Sequence, residues 1–240
     1  AQYPSVSPYA YCAGSPICFT DPTGMYIEQA SLQKWEQMRQ DITRERDNII
    51  AQIERIQTKA SQNGWSESKL AKKLGDRLWR MESLNGSLSA MDVLELSTQG
   101  YALKAISAGK AGNVVLNVAN RLININYNGV ANFVHEMTHA WQFEVGAIAF
   151  GNGSGNPVFQ DVYDEIDAYR AQFAYSPNSV TMLNPDKFIS SANEITVPWL
   201  IRIPLNGKYI YSPDGENNTG QSSVGIYSTP TQINMAYPHN

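Results

Sequence analysis

The chain has 240 residues, 42% of them hydrophobic, which is enough to bury a core. Its 22 acidic and 18 basic side chains give a formal net charge of -4, and with neither a basic excess nor a basic stripe no nucleic-acid partner is expected. No apolar run reaches the roughly 18 residues of a membrane span, and the opening AQYPSVSPYAYC lacks the charged start and apolar centre of an export signal.

The chain begins with Ala1 in sequence that reads as structured, so a piece of a longer protein is expected. Cys12 and Cys18 are too few for a disulfide scaffold. With five residues between them they match neither a zinc knuckle nor a redox CxxC, and a disulfide and two free thiols both fit. Residues 1–25 are rich in Tyr, Pro, Ser and Gly, with turns expected at Ser15-Pro16 and Asp21-Pro22-Thr23-Gly24.

This segment resembles the end of the core domain of rearrangement-hotspot (Rhs) repeat proteins, where Y-x-Y-x-x-N-N-P is followed by D-P-x-G. Tyr9, Tyr11, Pro16, Asp21, Pro22 and Gly24 match that pattern, while Gly14-Ser15 stands in place of the two asparagines. The resemblance covers about the first tenth of the chain. It implies that residues 1–25 belong to a repeat shell and residues 26–240 to a variable C-terminal tip, often a toxin, released by self-cleavage near Met25. It also implies secretion or delivery into a target cell, with the Rhs shell and a cognate immunity protein as partners.

Within the tip, residues 27–98 are expected to be helical. Leu32, Trp35, Met38, Ile42, Ile49, Ile53 and Ile56 recur at helical spacing from Ile27 to Gln62, and Asn63-Gly64 ends the run. Ser66 can cap a second helix carrying Leu70, Leu74, Leu78 and Met81 and ending near Asn85-Gly86. A third is expected from Ser87 to about Ser97, with Leu88, Met91 and Leu94 on its apolar side.

Residues 100–175 change character. Tyr101 to Ser107, Val114 to Val118 and Leu122 to Tyr127 read as strands, the last alternating Ile123, Ile125 and Tyr127 with asparagines. A small sheet with one buried face is expected, leading through Asn128-Gly129 into an apolar helix from Val130. A Gly-rich loop over 151–157 precedes a helix expected from Val158 to Tyr175. Residues 176–240 are expected to hold long loops and short strands, including Trp199 to Ile203 and Lys208 to Tyr211.

The helix after Asn128-Gly129 contains V-H-E-M-T-H-A-W-Q, with His135, Glu136 and His139 in HExxH spacing. Positions i and i+4 share one helix face, so two imidazoles can reach one metal ion. The carboxylate between them can sit beside the water that a zinc ion activates, which makes Glu136 the candidate general base. Only three histidines occur in the chain, and two fall in this window. A catalytic zinc usually takes three protein ligands. The metzincin extension would need glycine at 142 and histidine at 145, where Gln142 and Val145 stand. A carboxylate from the following helix is the alternative, and Asp161, Asp164, Glu165 and Asp167 are the candidates. Glu165 has Ala168 one turn on, a small residue suited to close helix packing.

HEMTHAWQ followed by EIDAYRAQF is similar to gluzincin-type metallopeptidases, in which a Glu-x-x-Ala segment on the second helix supplies the third ligand. The resemblance implies His135, His139 and Glu165 as zinc ligands, with Asp167 next in rank, and Glu136 as the catalytic base. It implies an α+β, zincin-like fold with N-terminal helices, a small mixed sheet and an HExxH helix. In such peptidases the edge strand before this helix commonly aligns an extended substrate, so strand pairing is expected here. The histidines need acceptors for their second ring nitrogens, from Asp164, Asp167 or backbone carbonyls. Tyr163, Tyr169 or a C-terminal tyrosine such as Tyr237 is the candidate oxyanion stabiliser. The expected function is zinc-dependent hydrolysis of a protein or peptide. The alternatives are a non-catalytic structural or adhesive domain stabilised by metal, and a zinc hydrolase of a non-peptide amide.

Overall fold

The computed structural model describes residues 27–205, 208–209 and 211. The expectations for Cys12, Cys18, Met25, Tyr237 and the Rhs-like segment lie outside the described residues. The described architecture is mixed α+β, as expected: α1 (Leu32–Gln62), α2 (Glu67–Leu74) and α3 (Arg77–Leu96), then β1 (Tyr101–Ala105), β2 (Asn113–Asn117) and β3 (Leu122–Tyr127), then α4 (Val130–Glu144). A short hairpin, β4 (Ile148–Phe150) and β5 (Pro157–Phe159), leads to α5 (Val162–Tyr175). The single turns α6 (Asn178–Thr181) and α7 (Val197–Leu200) and the strands β6 (Pro204–Leu205) and β7 (Lys208–Tyr209) follow.

The helical period of α1 buries Trp35, Met38, Ile42, Ile49 and Ile53, but the α-helix starts at Leu32 rather than Ile27. Ile27 forms a parallel bridge with Tyr101, and the Ser31 hydroxyl accepts the Leu103 N–H at 2.8 Å. The first residues therefore belong beside β1, and Leu32 is left 41% exposed. Ser66 caps α2 as expected. The next break falls at Gly75, whose φ of 52° ends α2, and α3 runs unbroken through Asn85-Gly86. Leu84, Met91 and Leu94 are fully buried on either side of that dipeptide, so core packing overrides a breaker signal worth only about 1 kcal/mol.

The three-stranded sheet has the order β1-β3-β2, with β1 parallel and β2 antiparallel to β3. It is the small mixed sheet expected, and Ile123, Ile125 and Tyr127 form its buried face. The strand leading into α4 is β3, which is central rather than an edge; β1 and β2 are the edge strands. Two further corrections concern local geometry. Residues Pro157–Phe159 pair with Ile148–Phe150, and α5 begins only at Val162, where Asp161 and Asp164 form a capping box. Trp199 to Ile203 is not a strand: Pro198 in the first turn favours a helical turn that buries Trp199 and Leu200. Lys208–Tyr209 is a strand, paired with β6. α4 and α5 pack along one another, and Ala140 and Ala168 are fully buried on them, small side chains that permit close helix approach.

Candidate metal centre

His135 and His139 lie one turn apart on α4, and Glu165 reaches them from the first turn of α5. All three are buried. The two Nε2 atoms face each other at 3.2 Å, while the Glu165 carboxylate oxygens lie 3.4 Å from His135 Nε2 and 3.7 Å from His139 Nε2. One donor atom from each residue falls within 4.8 Å of the others. Two imidazole nitrogens facing each other beside a buried carboxylate can share a hydrogen bond or hold a cation between them. Without a metal, burial opposes protonation of His139, but the Glu165 charge outweighs it and raises the pKa to about 9. The same histidines hold the Glu165 carboxyl far below the usual range against the opposing effect of burial. A tetrahedral ion with bonds of about 2.0–2.1 Å would place neighbouring donors roughly 3.3 Å apart, close to the separations found. This buried group could hold a metal ion.

The remaining acidic candidates are not brought to this point. Asp161 caps α5 by accepting the Tyr163 N–H at 2.7 Å. Asp164 accepts the backbone N–H groups of Gln160 and Asp161 at 2.9 and 3.2 Å, and burial raises its pKa to about 6. The Asp167 side chain is 62% exposed and lies 3.7 Å from Arg170.

His139 is oriented by a residue absent from the sequence expectations. Gln142, one turn further along α4, donates its Nε2 to the Asp164 backbone carbonyl at 2.8 Å. That fixes the amide so that its oxygen accepts from His139 Nδ1 at 2.7 Å, leaving the Nε2 lone pair for a metal. The acceptor is therefore a glutamine rather than a carboxylate, legible only as a polar residue three positions after a histidine. His135 Nδ1 has no hydrogen-bond partner among the described residues.

Glu136 is buried beside the three donors, and burial raises its pKa against the lowering effect of both histidines. Its Oε1 accepts from Asn132 Nδ2 at 3.0 Å. The Asn132 amide is itself held, because its oxygen accepts the Asn128 N–H at 3.1 Å. Gly112, just before β2, comes so close that a Cβ there would collide with Asn132 Oδ1, Glu136 Oε1 and the Asn126 carbonyl oxygen. Asn132 was detectable from sequence as an amide one turn before Glu136.

The chain matches no family model, no curated protein and no solved structure with which it was compared.

Of the expected tyrosines, Tyr163 is 59% exposed and points away from any such role. Tyr169 is buried, with its ring centroid 4.4 Å from that of His135. Tyr211, a C-terminal tyrosine that the sequence did not single out from the others, places its hydroxyl 3.2 Å from that of Tyr169 and 3.4 Å from Glu165 Oε2. Burial and the Glu165 charge raise both phenol pKa values, so both hydroxyls stay protonated and can donate. The site opens into a cleft of about 890 Å³ that also takes in Gly112 to Val114, Asn156, Pro157, Phe159 and Ile203.

Proposed function

We propose that this chain is a zinc-dependent peptidase of zincin-like fold, delivered as the toxin tip of an Rhs protein and countered by an immunity protein. The observation that carries the catalytic reading is the convergence of His135, His139 and Glu165 on one point in a cleft, with the Glu136 carboxylate alongside. Two imidazoles and one carboxylate are the donor set of many catalytic zinc sites, which keep a fourth position open. When bound, zinc supplies Lewis acidity toward a carbonyl oxygen and a water molecule.

The chain's own residues supply the rest. Glu136 takes the proton of the attacking water and passes it to the leaving amine, a role favoured by burial, which raises its pKa and its affinity for that proton. Asn132 occupies Oε1, which leaves Oε2 for the proton. The Tyr169 and Tyr211 hydroxyls line the cleft as donors for the negative charge that develops on the carbonyl oxygen. An extended peptide is received in the cleft that runs past Gly112 to Val114. The Rhs assignment rests on the Tyr9 to Gly24 pattern.

Glu136→Gln tests the catalytic reading. It should retain the metal, measured by elemental analysis, and lose about 10²–10⁴-fold in kcat on a peptide library. Undiminished hydrolysis in that variant rejects Glu136 as the base, and a metal-loaded wild type that hydrolyses nothing points to a non-catalytic domain.

A further inference from the structure

Glu165, Tyr169 and Gln172 follow one another at i, i+4 and i+7 on α5, and all three line the cleft. α5 runs antiparallel to α4, with Asp164 beside Gln142 and Tyr169 against His135. Gln172 therefore lies past His135 and Tyr169, roughly 10 Å along the helix from Glu165. Leu183, Ile203, Pro204 and Tyr211 also line the cleft and give it apolar wall, with the Tyr211 hydroxyl set against that of Tyr169.

The Gln172 side chain is held in one orientation. The residue is only 8% exposed, and its Nε2 donates to Ser179 Oγ at 3.2 Å. Ser179 donates its single hydrogen to the Ser176 carbonyl at 2.7 Å. Its hydroxyl can therefore only accept, and a turned amide would set Oε1 against a lone pair. Gln172 Oε1 receives no hydrogen bond among the described residues. Nor is it sealed inside the protein: among the described residues, the side-chain atoms that are both enclosed and without a partner are His135 Nδ1 and Trp199 Nε1. Gln172 Oε1 is thus an unused acceptor on the cleft wall, and a ligand that brings a donor gains by meeting it.

We propose that Gln172 is a specificity-determining residue, placed at the end of a substrate side-chain pocket that selects a long neutral side chain tipped with an N–H or O–H donor, tyrosine and glutamine above all. The proposal rests on the peptidase reading above. The apolar walls favour an apolar stem, and the fixed acceptor discriminates at the tip. Phenylalanine and methionine leave Oε1 unpaired. Glutamate brings a charged acceptor up to it, and one neutral oxygen offers lysine no counter-charge.

The test uses metal-loaded protein and synthetic peptides in which tyrosine and phenylalanine, or glutamine and glutamate, replace one another at each position within about three residues of the scissile bond. At one position kcat/KM should favour tyrosine over phenylalanine by about two- to tenfold, the effect of one neutral hydrogen bond, and glutamine over glutamate by more. Gln172→Met keeps the length of the side chain and removes the acceptor, so the Tyr/Phe ratio should fall to about one. In Ser179→Ala the amide is free to turn and present Nε2, and the Gln/Glu ratio should shrink.

Wild-type ratios near one at every position overturn the proposal, and so does a tyrosine preference that survives in Gln172→Met. Should that variant fail to fold, a Gln/Glu ratio unmoved in Ser179→Ala overturns it. Absence of cleavage for every peptide overturns the peptidase reading instead, and the pocket with it.

Discussion

Glu165 and Asp167 stand two residues apart on α5, about half a helical turn, and that rotation separates a carboxylate inside the histidine pair from one 62% exposed to water. Glu165→Ala should therefore abolish or sharply weaken metal binding, and Asp167→Asn should leave it unchanged, both read by elemental analysis after dialysis. A metal ion must displace the proton that Glu165 holds on His139. The metal-free His139 pKa is raised from 6.5 to about 9, so its contribution to the stability of the metal-free fold is fully present below about pH 6.5 and lost as pH rises through 9. Metal binding follows the opposite trend, since it needs the neutral ring. At about pH 7.5 binding should release roughly one proton, measured by calorimetry in buffers of different ionisation enthalpy, and affinity should weaken as pH falls. The i,i+4 spacing made His135, Glu136 and His139 legible as a group. It could not by itself choose among Asp161, Asp164, Glu165 and Asp167, where only the Glu-x-x-Ala resemblance ranked Glu165 first, because that choice depends on which face of α5 meets α4.

α3 shows where element-level reading succeeds and where it fails. Its apolar period was visible, but Asn85-Gly86 read as a break, although Leu84, Met91 and Leu94 are fully buried and carry the helix across it. Gly86 is exposed, and a Cβ there would meet nothing within 4 Å. Gly86→Ala should stabilise the fold by about 0.5–1 kcal/mol, read as a rise in Tm of roughly 2 °C. The short elements failed for a related reason. Val158 and Phe159 belong to β5, and Trp199 to a helical turn. Three or four residues carry too little periodicity to separate strand from helix, so pairing partners and a capping box decide.

At the scale of the molecule, the candidate donors come from α4 and α5, which pack along one another within the same hydrophobic core. A metal bound there ties together two helices that the unfolded chain leaves apart, so its binding energy adds to folding stability. Removing it with a chelator should lower Tm, and re-adding zinc at about 100 times Kd should restore roughly 2.7 kcal/mol. An unchanged Tm would mean that no ion is held. From the sequence alone came the α+β class, the three strands, the HExxH helix and the exclusion of a metzincin site, all properties of periodicity and spacing within one element. The tertiary structure alone decided that Glu165, and not Asp167, is the carboxylate turned to the histidines, that Tyr211 reaches Glu165 from 46 residues away, and that β2 rather than β3 is the sheet edge beside Glu136. Each of these depends on how separate elements pack, and local periodicity records only which face of an element is apolar, not which partner covers it.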